Sequence, residues 1–235
     1  MTTDPPKLTF YPASAPNGTG VLVLPGGGYG NISWHNEGPP PAAWLNARGF
    51  DAWILRYTVD SHRGAVAPAV EAVGQIRASG RVATLGVWGF SAGGHLAAIT
   101  ATTPHTAKDD DTTTETNKAS SSPSSIVDFA ILTYPVITMH PDAMHEGSLR
   151  NLLGPDAPEA VRLGMCAETR VGAHTPPAFP NTLLFAGAMA RHGRPFRLVV
   201  LPDGPHGIGL ATDDAERSWT GELERWIVGF VGVKA

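Results

Sequence analysis

The chain has 235 residues, 17 Lys and Arg against 21 Asp and Glu, a net charge of −4 and only 16% charged residues, below the ~25% of an average globular protein. That length suits one α/β domain able to bury roughly 70% of its unfolded surface, and its scattered, slightly acidic charge argues against nucleic acid or an anionic membrane as a partner. No apolar run reaches the ~18 residues needed to span a bilayer and the first residues lack a basic flank, so a soluble, cytoplasmic protein is expected. Cys166 is the only cysteine, which excludes an intrachain disulfide. It reads as a small core hydrophobe, and no Cys/His cluster has metal-ligand spacing, so no metal or other cofactor is expected.

In chain order, a first strand is expected over Leu8–Tyr11 and a second over Val21–Leu24, which runs straight into Pro25 and three consecutive glycines, Gly26–Gly28. Glycines at a strand end can turn backbone N–H groups toward a developing alkoxide, so Gly27 and Gly28, with the N–H of Ala92, are candidate oxyanion donors. A phosphate loop competes for the same glycines, but no Gly-Lys-Ser/Thr follows them and no acidic residue stands where a ribose contact would be expected. Tyr29 is a candidate substrate-binding residue beside this loop. The neighbouring Trp34-His35 pair fits either the wall of an acyl pocket or ordinary cover for the core.

Helix Pro40–Arg48, strand Ala52–Tyr57, helix Ala67–Ala78 and strand Leu85–Gly89 follow, and then Gly89-Phe90-Ser91-Ala92-Gly93 opens a helix over Ala92–Thr100. An apolar strand before G-x-S-x-G and a helix after it are the context in which the motif means a nucleophile elbow. The flanking glycines relieve crowding there, and Ser91 is the candidate nucleophile. From Thr102 to Ser125, 12 of 24 residues are Ser or Thr with an acidic run at Asp109–Asp111, a composition that reads as a mobile surface insertion.

Beyond it lie strand Ile126–Thr133, strand Phe196–Leu201 and a final helix within Asp213–Val231, whose Trp219, Leu223, Trp226 and Ile227 form an apolar stripe. His206 sits in a Gly/Pro-bounded loop after the last strand, where a base arriving in the order Ser…acid…His would stand. Strands alternating with helices predict an α/β fold with a mostly parallel central sheet flanked by helices, in a single domain over residues 1–235.

At this point the chain resembles the α/β-hydrolase esterases related to acetylxylan esterases and the feruloyl-esterase-like group, relatives of hormone-sensitive lipases. The resemblance rests on PGGGYG, WLNARGFDAWILRY, GFSAGGHLAA, LTYPVITM followed by GSLRNLLG, TPPAF and LPDGPHGIGL, and covers nearly the whole chain. It implies an α/β-hydrolase fold with Ser91 as nucleophile and His206 as general base and acid. It also implies Gly27, Gly28 and Ala92 as oxyanion donors and a small-molecule ester as substrate, and leaves oligomeric state open.

One segment departs from that pattern. Between Glu168 and Asp203 there is no Asp or Glu. Relatives continue after the TPPAF-like segment with a strand and an Asp-bearing loop, whereas here Phe179 meets Pro180 and, at once, a helix expected over Asn181–His192. Asn181 is the expected N-cap, with Gly193 just past the end and Pro195 beyond. A strand over Thr182–Ala188 is the competing assignment, and neither supplies a carboxylate. The strand near residue 180 is therefore expected to be truncated and the triad acid to be missing. Asp142, after the Ile126–Thr133 strand, is the candidate stand-in. Glu146 shares its loop, Asp203 is expected to shape its own turn, and Asp128 to point elsewhere.

Three functions remain open from sequence. One is a serine carboxylesterase for short acyl esters, with acetyl groups on a carbohydrate implied by the resemblance. The second is a degenerate hydrolase that binds a small ligand without useful turnover, and the third an amidase or formamidase. The last is disfavoured because an amine leaving group needs strong acid assistance from His206.

Overall fold

The computed structural model describes residues 5–59, 64–105, 124–180 and 182–231, and the following account concerns these. Six strands form one sheet in the order β1-β3-β2-β4-β5-β6: β1 Lys7–Tyr11, β2 Thr19–Leu24, β3 Asp51–Arg56, β4 Thr84–Phe90, β5 Phe129–Thr133 and β6 Ala178–Pro180. Only β1 runs antiparallel to its neighbour; every other pair is parallel. The central strands read as near-continuous apolar runs because helices cover both faces of a parallel sheet.

Alternation along each strand divides the core in two. Leu22, Leu24, Val87, Ala130 and Leu132 face one side, where they meet α3 (Val66–Ala78), α4 (Ser91–Ala101) and Phe185 of α7 (Leu183–Arg191). Val21, Val23, Ile54, Trp88 and Ile131 face the other, against Trp44 and Leu45 of α2 (Pro39–Asn46) and Leu223 and Ile227 of α8 (Thr220–Val231). The short helices α1 (Trp34–Glu37), α5 (Glu146–Leu153) and α6 (Glu159–Leu163) lie in the connections near the strand ends. The apolar stripe of the last helix faces the core as expected, with Trp226 partly buried beside the others.

Two sequence expectations need correction, and a third is narrowed. The strand expected over Phe196–Leu201 is reduced to one parallel bridge between Ala178 and Phe196. Its neighbour β6 has three residues and ends at a proline, which has no N–H to extend a ladder. The last helix begins at Thr220 rather than near Asp213, because the Asp214 carboxylate accepts from the N–H of Glu216 and Arg217 and holds a turn instead. The segment Asn181–His192 is a helix from Leu183, not the alternative strand. Thr182 holds its N-cap position without a side-chain hydrogen bond and Gly193 at φ +60° closes it, while Asn181 itself lies outside the described residues.

The truncation at residue 180 is visible as a stub: β6 pairs with β5 only at Ala178, Phe179 and Pro180. Residues 106–123 of the Ser/Thr-rich segment lie outside the described residues, and its ends meet in an antiparallel bridge between Pro104 and Ser125. Cys166 is buried, its sulfur accepting from the Met139 N–H at 3.3 Å. No helix among the described residues is long and apolar enough to cross a membrane.

Candidate active site

Ser91 stands between β4 and α4 with φ +50°, a left-handed conformation that costs a non-glycine residue about 1–3 kcal/mol. The turn closes only because its flanking positions lack side chains. A Cβ at Gly89 would lie 2.1 Å from the Gly93 carbonyl oxygen, and one at Gly93 would lie 2.1 Å from that of Leu24. Ser91 Oγ is 2.8 Å from His206 Nε2. This is the distance at which a hydroxyl hands its proton to an imidazole.

Beside them lies the glycine loop, with Gly27 at φ +121° and Gly28 at φ +64°, so that only glycine adopts this path without strain. Its N–H groups are not all free. Gly26 N–H donates to Glu37 Oε2 at 2.7 Å, whereas Gly27 and Gly28 have no hydrogen-bond partner for theirs among the described residues. Ala92, in the first turn of α4, has no intrahelical acceptor for its N–H by position. A Cβ on Gly26 would fall 2.8 Å from Ser91 Cβ, so the loop backbone passes directly over the nucleophile.

Several buried groups hold that loop in place. Tyr57 OH donates to the Pro25 carbonyl at 2.6 Å and Asn151 Nδ2 to that of Gly28 at 2.9 Å. Tyr29, expected at the substrate, is turned into the core instead. It is 1% exposed, at φ +59°, with its hydroxyl 2.7 Å from His95 Nδ1. The other His95 nitrogen, Nε2, meets the Met165 carbonyl at 2.7 Å. A carbonyl only accepts, so Nε2 carries the proton and Nδ1 accepts from Tyr29. Burial, with the Arg170 charge adding to it, lowers the His95 pKa to about 4 against the Met165 hydrogen bond, which keeps the ring neutral.

A cavity of about 480 Å³ opens over Ser91 and His206, walled by Tyr134, Val136, Ile137, Thr138, His145 and Leu184. Neither Trp34 nor His35 lines it, and Trp34 stacks under the Arg56 guanidinium at 4.0 Å. His145 Nδ1 accepts from the Ser148 N–H at 3.1 Å as the N-cap of α5.

Among the described residues no carboxylate is brought to His206. His206 Nδ1 has no hydrogen-bond partner among the described residues. Asp142, the expected stand-in, is 88% exposed and pairs with His140 Nδ1 at 3.3 Å, because its loop turns outward ahead of α5. Asp203 contacts Arg217 and Asp128 holds Arg77, while Glu146 opens α5. What the sequence did not single out is Glu37, a buried carboxylate whose Oε1 accepts from Tyr134 OH at 2.9 Å. The signal available for it was an acid one residue ahead of a Gly-Pro-Pro helix start, which alone names no partner. Among the described residues, no group of three or more His, Cys, Asp or Glu is arranged to hold a metal ion.

A mostly parallel sheet flanked by helices, with a strand-to-helix elbow at β4, defines an α/β hydrolase. A family model for the BD-FAE domain matches residues 80–179. The acetyl ester-xyloside bifunctional hydrolase of Caldicellulosiruptor lactoaceticus is 33% identical over 96% of this chain and 89% of that one, with a TM-score of 0.80. The chain belongs to this family of α/β hydrolases. It is also similar to the acetylxylan esterase of Xylanibacter ruminicola, 29% identical over 87% of this chain, and to endo-1,4-beta-xylanase B of Butyrivibrio fibrisolvens, 31% identical over 86%. The chain spans less than half the length of these two curated relatives, 44% and 34%.

Proposed function

We propose that this protein is a serine carboxylesterase that removes short acyl groups, with acetyl esters of carbohydrates as its substrate class. The observation that carries the reading is the 2.8 Å contact between Ser91 Oγ and His206 Nε2 beside a loop whose Gly27 and Gly28 N–H groups are free. The names of the relatives, an acetylxylan esterase and an acetyl ester-xyloside hydrolase, support the acetyl and carbohydrate parts.

In this reading Ser91 Oγ attacks the ester carbonyl carbon as its proton passes to His206 Nε2, and the carbonyl electron pair moves onto oxygen. The N–H groups of Gly27, Gly28 and Ala92 receive the oxyanion. The tetrahedral intermediate collapses by breaking the bond to the alkoxy oxygen, which takes the proton from His206 and leaves as the alcohol. Water then repeats the sequence on the acyl-Ser91 ester, giving the carboxylic acid and restoring Ser91. With no carboxylate on Nδ1 among the described residues, the imidazolium is poorly stabilised, so esters with good leaving groups are turned over best.

The test is hydrolysis of p-nitrophenyl acetate by the wild type beside Ser91→Ala and His206→Ala. The wild type is expected to exceed both by about 10³ or more. Equal rates in all three, with a retained affinity for acetylated xylo-oligosaccharides, would favour the second reading, a hydrolase scaffold that binds without turnover. That reading draws on the missing carboxylate at His206.

A further inference from the structure

Among the described residues no carboxylate meets His206, and the group packed against its ring is Tyr134. The Tyr134 ring meets the His206 ring in a tilted edge-to-face contact, centroids 5.1 Å apart and planes at 65°. Tyr134 holds this place under constraint. It follows β5 with φ +35°, a conformation that a tyrosine adopts only when its surroundings impose it.

The imposition comes from both ends of its hydroxyl. Tyr134 OH donates to Glu37 Oε1 at 2.9 Å and accepts the Gly209 N–H at 2.9 Å. Burial and the Glu37 carboxylate both raise its pKa, so the hydroxyl keeps the proton it donates. Glu37 is itself fixed, 3% exposed, with its other oxygen on the Gly26 N–H at the start of the oxyanion loop. Gly209 belongs to the loop that carries His206, and that loop is tied further by Asn36 Nδ2 to the Gly207 carbonyl at 2.7 Å. One hydroxyl therefore joins the oxyanion loop, through Glu37, to the histidine loop, through Gly209.

We propose that Tyr134, clamped by Glu37 and Gly209, is the positioning residue that orients the His206 imidazole toward Ser91, a part of the work that a triad carboxylate does in a complete hydrolase. The inference rests on the esterase reading above. It fixes an upper scale: an acid neutralised in the serine-protease triad costs about 10⁴ in kcat through the wrong tautomer, with the geometry intact. An aromatic contact supplies orientation alone, so removing it should cost roughly tenfold.

The experiment compares the wild type, Tyr134→Phe and Tyr134→Leu on a series of acetate esters from p-nitrophenyl to phenyl to ethyl, with active sites counted by the p-nitrophenol burst. If His206 loses its orientation, Tyr134→Leu is expected to lower kcat by about threefold on the p-nitrophenyl ester and by about tenfold or more on the ethyl ester, with KM little changed. Tyr134→Phe keeps the ring without the clamp and should fall between. A merely structural role would reduce the count of active sites and scale every ester equally. Equal losses across the series, or no loss in Tyr134→Leu, would overturn the proposal while Ser91- and His206-dependent hydrolysis still stood. Failure of the esterase reading itself would appear as hydrolysis indifferent to Ser91→Ala.

Discussion

The two halves of the site are built to different standards. On the Ser91 side, the described residues from Thr19 to Ala101 form strand, turn and helix with almost every residue of β2, β4 and α4 buried, and the glycine loop is tied at Pro25, Gly26, Gly28 and Tyr29. From Ala178 to Trp219 the His206 side has, among the described residues, a three-residue strand, one helix and a long irregular stretch, and His206 makes a single hydrogen bond among them, to Ser91. The difference teaches where the fold stores its precision. Parallel strands paired on both sides fix the elbow, whereas the histidine loop leans on an edge whose strand is cut to a stub.

Under the proposed esterase reading, completing the less ordered half should have the largest effect. Inserting a strand and an Asp-bearing loop after Phe179, so that a carboxylate can reach His206 Nδ1, is expected to raise kcat on alkyl acetates by up to about 10³–10⁴. Turnover of ethyl acetate before and after the insertion measures this, and an unchanged rate would place the weakness elsewhere.

Damaging the well-built half comes next. A side chain at Gly27 would put its Cβ 2.2 Å from the Asn31 carbonyl oxygen at a φ of +121°, so Gly27→Val must displace the loop. Loss of one oxyanion donor costs about 10²–10³ in kcat. Steady-state rates on p-nitrophenyl acetate, with circular dichroism to verify folding, would show whether the loop or some other group carries the oxyanion.

The same half carries a pH signature. His95 titrates near pH 4 when folded against 6.5 as an ordinary histidine, so between these values the unfolded chain binds more protons than the native one. Stability is therefore full above about pH 6.5 and falls as pH drops toward 4, by an amount of order 3 kcal/mol. Urea midpoints across that range should decline in the wild type and flatten in His95→Gln, which keeps a donor and an acceptor without a titrating ring.

The smallest effect is expected at Asp142. Its carboxylate is 88% exposed and meets only His140, so Asp142→Ala should change kcat and stability by no more than about 0.5 kcal/mol. A large loss of kcat would mean that its loop closes over His206 during turnover.

Parts of this candidate site were legible before any coordinates. G-x-S-x-G between an apolar strand and a helix places Ser91, three glycines at a strand end place the oxyanion loop, and a loop histidine after the last apolar run places His206, because each depends on neighbours within a few residues. Asp142 shows the opposite case. Its position after β5 suggested an acid, but which way a loop carboxylate points is decided by what the loop packs on. Tyr29 was assigned to the substrate for its place beside the glycines, and a +59° φ turned it inward onto His95, which no local pattern records.

The sequence by itself determined the α/β alternation, the elbow, the glycine loop and the shortage of carboxylates between Glu168 and Asp203, since these follow from side-chain period, backbone freedom and composition. Only the tertiary structure decided that Phe196–Leu201 makes no regular strand, that Glu37 is a buried tie between two loops, and that Tyr134 is the group lying against His206. Those outcomes depend on which surfaces meet and which buried polar groups find partners. Residues 37, 134 and 209 are far apart along the chain and adjacent only once the sheet has assembled.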